Sequence, residues 1–336
     1  MDRQTRTVQC AYLLYLSAAD VAAVAPAPAD VVAAVDEGFR LKGAGGVQLP
    51  PKPSLHGTAG AFSQVMAGYV PGAAALGVKW ISLVPQNIGR GLPQAHALLV
   101  LVDVATGRPA AVMEAGQITA WRTGASVAVA AKYLAPAGAA VVGVLGCGVQ
   151  ARASVRALAV VLPQLREVRC FDISPEALAA FVSELVAELP EVAFAAGADP
   201  VAVTAGADVV VSAITMSDPT AAPLGAGLLR RGALAVALDY DAAWTPAAVA
   251  ECERFFCDDR VQVLATQQAG GRLQQLDTAR IAADLGEVAA GLAPGRTRDD
   301  ERIFCLNLGL AVEDLMTGRL VLERALAAGA GVKLPL

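Results

Sequence analysis

From Ala139 onward the sequence alternates short apolar, β-branched runs with helical patterns, and this predicts an α/β chain built on a doubly wound parallel sheet of the Rossmann type. A glycine-rich turn, Gly146-Cys147-Gly148, falls where the first of these runs gives way to a helix. The residues before Thr119 follow a mixed α+β pattern instead, and the long helical stretch near the C-terminus can pack back on them. The expected organisation is an α+β domain from residues 1–123 and 306–336 and a Rossmann domain from residues 124–305.

In the N-terminal part, Ser17–Val24 reads as a short helical turn stopped by Pro26 and Pro28, and Asp30 as the cap of a second helix running to Gly38. Strand-like pieces follow at Val47–Leu49, Val78–Val84 and Ala97–Asp103, and Asp103–Gly107 reads as a hairpin turn into Pro109–Glu114. A long helical pattern covers Thr119–Leu134 and stops at Pro136-Ala-Gly138. The alternation then runs strand Ala139–Leu145, helix Val149–Leu162, strand Glu167–Asp172, helix Pro175–Leu189, strand Val192–Ala195, helix Asp199–Ala205, and strands Asp208–Ile214 and Ala233–Leu238. Gly309–Gly329 reads as one long helix.

The 336 residues carry 55% hydrophobic and 17% charged side chains, enough for one large domain or two ordinary ones. Mean hydropathy is +0.52, yet every long apolar run is broken by Gly, Pro or charge, so no membrane span is expected. The N-terminus lacks the form of a signal peptide, and a cytoplasmic protein is the expectation. A net charge of −5 with scattered basic residues argues against nucleic acid and for a small-molecule partner. Six cysteines form no CxxC pair, and there are only two histidines, so no metal site is expected and the cysteines read as core residues.

The turn Gly146-Cys-Gly148-Val149-Gln150-Ala151 follows an apolar strand and opens a helix, the context that a dinucleotide fingerprint needs. The first glycine makes the tight turn, the second lets the backbone approach a pyrophosphate, and the small Ala151 lets helix and strand pack closely. The helix N-terminus offers N–H groups and a positive dipole end to the phosphates. Asp172 ends the next strand, where an acid accepts hydrogen bonds from both ribose hydroxyls and repels a 2′-phosphate. NAD is therefore the expected cofactor. Arg152 and Arg169 lie near enough in sequence to keep NADP open. Thr215, just past the fourth strand of this region, is a candidate for the nicotinamide side.

Leu76-Gly-Val-Lys79, Pro85-Gln-Asn87, Gly91-Leu-Pro93, Thr106-Gly107 and Ile118-Thr-Ala-Trp-Arg122-Thr123 precede the glycine turn in order. Asp284-Leu-Gly-Glu287, Gly291, Pro294-Gly-Arg296 and Gly309-Leu-Ala-Val-Glu313-Asp314 follow it. Together these motifs resemble the ornithine cyclodeaminase/mu-crystallin family over most of the chain. That family includes cyclodeaminases, alanine dehydrogenases, ketimine reductases and a hormone-binding crystallin. The resemblance implies that basic side chains hold a substrate carboxylate and that a Lys sits beside the reacting carbon. Carried over, Lys79 takes the Lys role, and Arg122 and Lys52 bind the carboxylate. Thr123 joins Gly146, Gly148, Val149, Gln150, Asp172 and Thr215 on the cofactor side. It also implies a homodimer paired through the N-terminal part. The competing readings are a snorkelling surface lysine for Lys79, a helix-start ion pair for Arg122 and a surface loop position for Lys52.

The family's Asp after the fifth strand falls by register on Asp241, with Asp239 where Gly is usual; Trp244 and Thr245-Pro246 replace the usual motif that follows. Asp241 is expected to polarise a water or guide an amine, against a plain turn or capping duty. Gln94 stands where Thr is common, and Gln64 where diamine-cyclising members carry an acid. The expected function is an NAD(P)-dependent oxidoreductase acting on the C–N bond of a small amino acid or its imine or ketimine. An ornithine-type cyclodeaminase that recycles NAD, and a crystallin-like binder without turnover, are the alternatives.

Overall fold

The computed structural model describes residues 12–58, 60–215 and 221–336; Cys10 lies outside them. The chain divides into two compact units, Met1–Arg122 with Leu310–Leu336, and Thr123–Gly309.

The first unit carries strands β1 (Tyr12–Leu16), β2 (Ser54–His56), β3 (Phe62–Val70), β4 (Ala75–Leu83), β5 (Ala95–Val102), β6 (Pro109–Glu114) and, from the C-terminus, β15 (Val332–Pro335). They form one sheet in the order β15-β1-β6-β5-β4-β3-β2. The β1/β6 pair is parallel and the others are antiparallel. Helices α1 (Ala18–Ala23), α2 (Pro28–Gly43) and α10 (Ala311–Ala328) belong to this unit, and the chain leaves it along α3 (Gly116–Leu134). Helix α10 packs on α2 and on β3, β4 and β5. Gly77 of β4 permits the close approach: a Cβ there would stand 3.0 Å from Leu315 and 2.2 Å from the Val100 carbonyl oxygen. Gly329, at φ 66°, ends α10 in the left-handed cap that glycine adopts without strain.

Two local expectations change here. Helix α2 begins at Pro28, not after Asp30, because proline at the first helical position gives up an N–H that has no partner there anyway; Asp30 lies within the first turn. Val47–Leu49 forms no strand and contributes only the isolated bridge Gln48↔Tyr69.

The second unit alternates β7 (Val141–Leu145), α4 (Val149–Val161), β8 (Glu167–Phe171), α5 (Pro175–Glu188), β9 (Ala193–Ala196), α6 (Pro200–Thr204), β10 (Val209–Ser212) and β11 (Leu234–Ala237). It continues through α7 (Pro246–Ala250), β12 (Arg254–Cys257), α8 (Arg260–Gln268), β13 (Ile281–Asp284), α9 (Leu285–Ala289) and β14 (Ile303–Leu306). The sheet order is β9-β8-β7-β10-β11-β14-β12-β13, and every ladder in it is parallel. This is the doubly wound sheet expected, with its change of direction between β7 and β10, where such sheets bind ligands at the C-terminal strand ends. Its central strands are fully buried and read as continuous Val/Ala runs because helices cover both faces. Trp244, Phe255 and Phe304 anchor one side of the core, with Phe304 edge-to-face on both neighbours at 6.0 and 5.4 Å.

Candidate active site

In the first unit, alternation along β4 turns Lys79 to the same buried face as Ala75 and Gly77. It is fully buried, so its ammonium requires a partner. Lys79 Nζ donates to Asp314 Oδ1 at 2.6 Å. Arg122, on α3, donates from Nη1 to Glu313 Oε2 at 2.7 Å, and its Nε stands 3.0 Å from Asp314 Oδ1. Both acids sit in the first turn of α10, where the positive end of the helix dipole favours carboxylates. Two cations from separate elements thus converge on two carboxylates of one helix end.

Burial draws the Lys79 ammonium down to about 8; the nearby Arg122 charge adds to this and Asp314 opposes it. Burial pushes the Glu313 carboxyl upward against the pull of Arg122. Among the described residues, Glu313 Oε1 and Asp314 Oδ2 are buried and accept no hydrogen bond, and the hydroxyls of Thr119 and Thr317, one turn away along their helices, are buried without a partner. Lys52 lies half-buried just before β2. The Val65 N–H donates to Pro53 O, which puts that segment beside β3, next to Met66, the ladder partner of Lys79.

In the second unit the chain leaves β7 through Gly146, at φ 87°, where a Cβ would collide with the Ala213 carbonyl oxygen at 2.6 Å. Gly148 is the N-cap of α4, and a Cβ there meets only open space. Among the described residues the cap has no side-chain hydrogen bond and Gln150 Oε1 is buried without a partner, and Val149 is exposed. A free helix N-terminus behind an open glycine turn fits a pyrophosphate. Asp172 braces the turn, with one carboxylate oxygen taking the Cys147 N–H at 2.7 Å and the other the Ser174 N–H at 2.8 Å. Each oxygen keeps a lone pair for a ribose hydroxyl. Thr123 is buried on α3, and Thr215 is exposed beyond β10.

The two arginines that kept NADP open are committed elsewhere. Arg152 bonds the Cys147 carbonyl and pairs with Glu184 at 2.8 Å, over the Phe181 ring. Arg169 bonds Glu167 and the Ala205 carbonyl.

The two aspartates after β11 take different surroundings. Tyr240 between them has φ 60°, a left-handed kink that is uncommon outside glycine. Asp239 accepts from Ser212 Oγ at 2.9 Å and from the Ile214 N–H at 3.1 Å, at the C-terminal ends of β10 and β11. Trp244 Nε1 closes this network on Ser212 Oγ at 3.1 Å. Burial raises the Asp239 carboxyl to about 7 against those hydrogen bonds. Asp241 instead accepts from the Leu273 N–H at 2.6 Å and pairs with Arg272 at 3.1 Å. It borders a cleft with Trp244, Gly271 and Gln274. The sequence leaves open which of Asp239 and Asp241 faces the site, and it assigns no role to Glu313 and Asp314.

A profile of the ornithine cyclodeaminase/mu-crystallin family matches residues 14–329, and the chain belongs to that family. It is 32% identical over 310 residues to an alanine dehydrogenase of Archaeoglobus fulgidus, covering 90% of this chain and 92% of the relative. The structure of Thermococcus litoralis Delta(1)-pyrroline-2-carboxylate reductase in complex with NADH and L-proline superposes with a TM-score of 0.86 at 28% identity, covering 95% of this chain and 99% of that one. An archaeal alanine dehydrogenase dimer with bound NAD gives a TM-score of 0.84 at 28% identity, covering 96% and 98%.

Removing one member of a buried ion pair strands the other. Lys79→Met is expected to cost about 3–5 kcal/mol in urea unfolding. Lys79→Met with Asp314→Asn should recover part of that loss; a double variant less stable than Lys79→Met contradicts the pairing.

Proposed function

We propose that the chain is an NAD-dependent oxidoreductase acting on the C–N bond of a small amino acid or its imine or ketimine. The observation that carries this reading is the buried Lys79–Arg122–Glu313–Asp314 cluster, which holds an ammonium drawn down to about 8 beside a guanidinium. In this reading Arg122 grips the substrate carboxylate, with Lys52 as a second cation. Lys79 holds or releases a proton at the substrate nitrogen, a duty suited to a group that titrates at about 8. Gly146, Gly148, Val149 and Gln150 seat the pyrophosphate, Asp172 the adenosine ribose, and Thr123 and Thr215 the nicotinamide end. When bound, NAD supplies the hydride acceptor and its reduced form the donor. The commitment of Arg152 and Arg169 supports NAD over NADP.

Acid–base assistance to a water or amine falls to one of the two aspartates after β11. Asp241 held that place by register, and its cleft keeps it a candidate. The position of Asp239 at the sheet edge, with a carboxyl near 7, favours Asp239. The domain roles follow: the unit containing α10 carries the substrate groups and the pairing surface, and the Thr123–Gly309 unit carries the cofactor groups. Trp80 and Leu98 are directly paired across β4 and β5, and Leu55 shares their face by register. All three are well exposed, and an apolar sheet face of this kind supports a homodimer paired through it.

A panel of small amino acids with NAD, and of 2-oxo acids with ammonia or cyclic imines with NADH, should change the reduced-nicotinamide absorbance for at least one member, with NADP giving less. Lys79→Met should lower kcat about 10²–10⁴-fold. Cofactor binding with no turnover across the panel contradicts the reading, and ammonia release without net cofactor change assigns the cyclodeaminase alternative.

The rate profile should show a limb near the Asp239 value of about 7. Asp239→Asn should abolish that limb and Asp241→Asn retain it; the reverse result returns the duty to Asp241. In sedimentation the chain should run as a dimer, and Trp80→Lys with Leu98→Lys as a monomer. A wild-type monomer contradicts the pairing surface.

A further inference from the structure

The four buried side chains constrain what can join them. With all four ionised, Lys79 and Arg122 cancel Asp314 and Glu313. A carboxylate that then arrives at Arg122 adds a negative charge that these four groups do not compensate, and Lys52, only half-buried before β2, offsets it less than a buried cation would. A proton on one of the acids removes that cost. Asp314 is the poorer place for it, because its Oδ1 takes the Lys79 ammonium at 2.6 Å and lies 3.0 Å from Arg122 Nε. Each acid has one buried oxygen without a partner among the described residues, Glu313 Oε1 and Asp314 Oδ2, but on its other oxygen Glu313 has Arg122 alone.

Resting on the carboxylate role given to Arg122 above, we propose that the substrate carboxylate binds the form of the chain in which Glu313 carries a proton, so that Glu313 sets the charge of the carboxylate site and couples substrate binding to proton uptake. Protonated Glu313 leaves the cluster at one net positive charge, which one carboxylate neutralises. It also weakens the Glu313 hold on the Arg122 fork, so that the guanidinium can share its donors with the ligand.

The groups that act most strongly on Glu313 are Arg122 from α3, Asp314 from its own helix and Lys79 from β4. Of the other elements packed on α10, α1 brings Asp20, held by Ser17; α2 brings Asp30, Asp36, Glu37, Arg40 and Lys42; β3 brings Tyr69; and β5 brings His96. Burial already raises the Glu313 carboxyl, and a second carboxylate on Arg122 raises it further. The sign follows: binding takes up a proton and weakens as pH rises through the Glu313 value.

The test is calorimetric titration of L-proline, and of L-alanine as a second probe, into the chain loaded with NADH, where neither probe can be oxidised. Buffers of different ionisation enthalpy, from about pH 6 to about pH 7, below the Lys79 value of about 8, report the protons exchanged. Wild type should take up a proton on binding, and its affinity should fall as pH rises, by up to tenfold per pH unit. Glu313→Gln keeps an acceptor for Arg122 and should bind with no uptake and a flat profile over that range. Wild-type binding without uptake overturns the proposal whether or not the variant folds, as does uptake that survives in Glu313→Gln, which assigns the proton to Lys79 or Asp239. Failure of both probes and of every other amino acid of the panel to bind at any pH removes the carboxylate role of Arg122 and this proposal with it, whereas binding without uptake removes this proposal alone.

Discussion

Two carboxylates on the first turn of one helix, facing two cations from a strand and a second helix, are the constraint on which the first unit depends. An ion cluster of this depth survives only when its geometry is held fixed, since any displaced member leaves a charge without solvent or partner. The surrounding packing meets that demand. Helix α10 lies close enough to the sheet for its acids to reach Lys79 because Gly68 and Gly77 present no side chain to Ala311 and Leu315. Helix α10 therefore supplies the counter-charges of this unit as well as part of its core.

The second unit uses a carboxylate as a brace. Asp172 stands at the end of β8 and takes N–H groups from the glycine turn after β7 and from the start of α5, so two neighbouring strand ends are locked by one side chain. An acid already ordered by two N–H bonds offers its remaining lone pairs without a further entropy cost, which is the preorganisation that a ribose site needs. At the same sheet edge the left-handed Tyr240 sends Asp239 and Asp241 to different partners, one to Ser212 and one to Arg272 and Leu273. Backbone strain of this kind collects where function demands a fixed direction.

Much of this was legible in the sequence, for physical reasons. The Rossmann half announces itself because fully buried parallel strands must be continuous apolar runs and their helices must start at caps such as Ser174 and Asp199. The α+β half is quieter. Strand β3 carries Ser63, Gln64 and Gly68 and shows no clean alternation, and the short strands β12 to β15 lack the length that makes a period visible. Glu313 and Asp314 stood inside a recognised motif, yet their roles were hidden. Their partners lie 191 and 235 residues away, and no local pattern reports a pairing at that range. The same limit left Arg152 and Arg169 as open cations until Glu184, Glu167 and two carbonyls were seen to occupy them.

Hydride transfer between the cofactor and the carbon that bears the amino group can be followed by running the reductive direction with NADH carrying deuterium at the transferred position of nicotinamide C4 and reading the product by mass spectrometry. One deuterium is expected at the α-carbon of the amino acid formed, and a product with no deuterium at that carbon rules the transfer out.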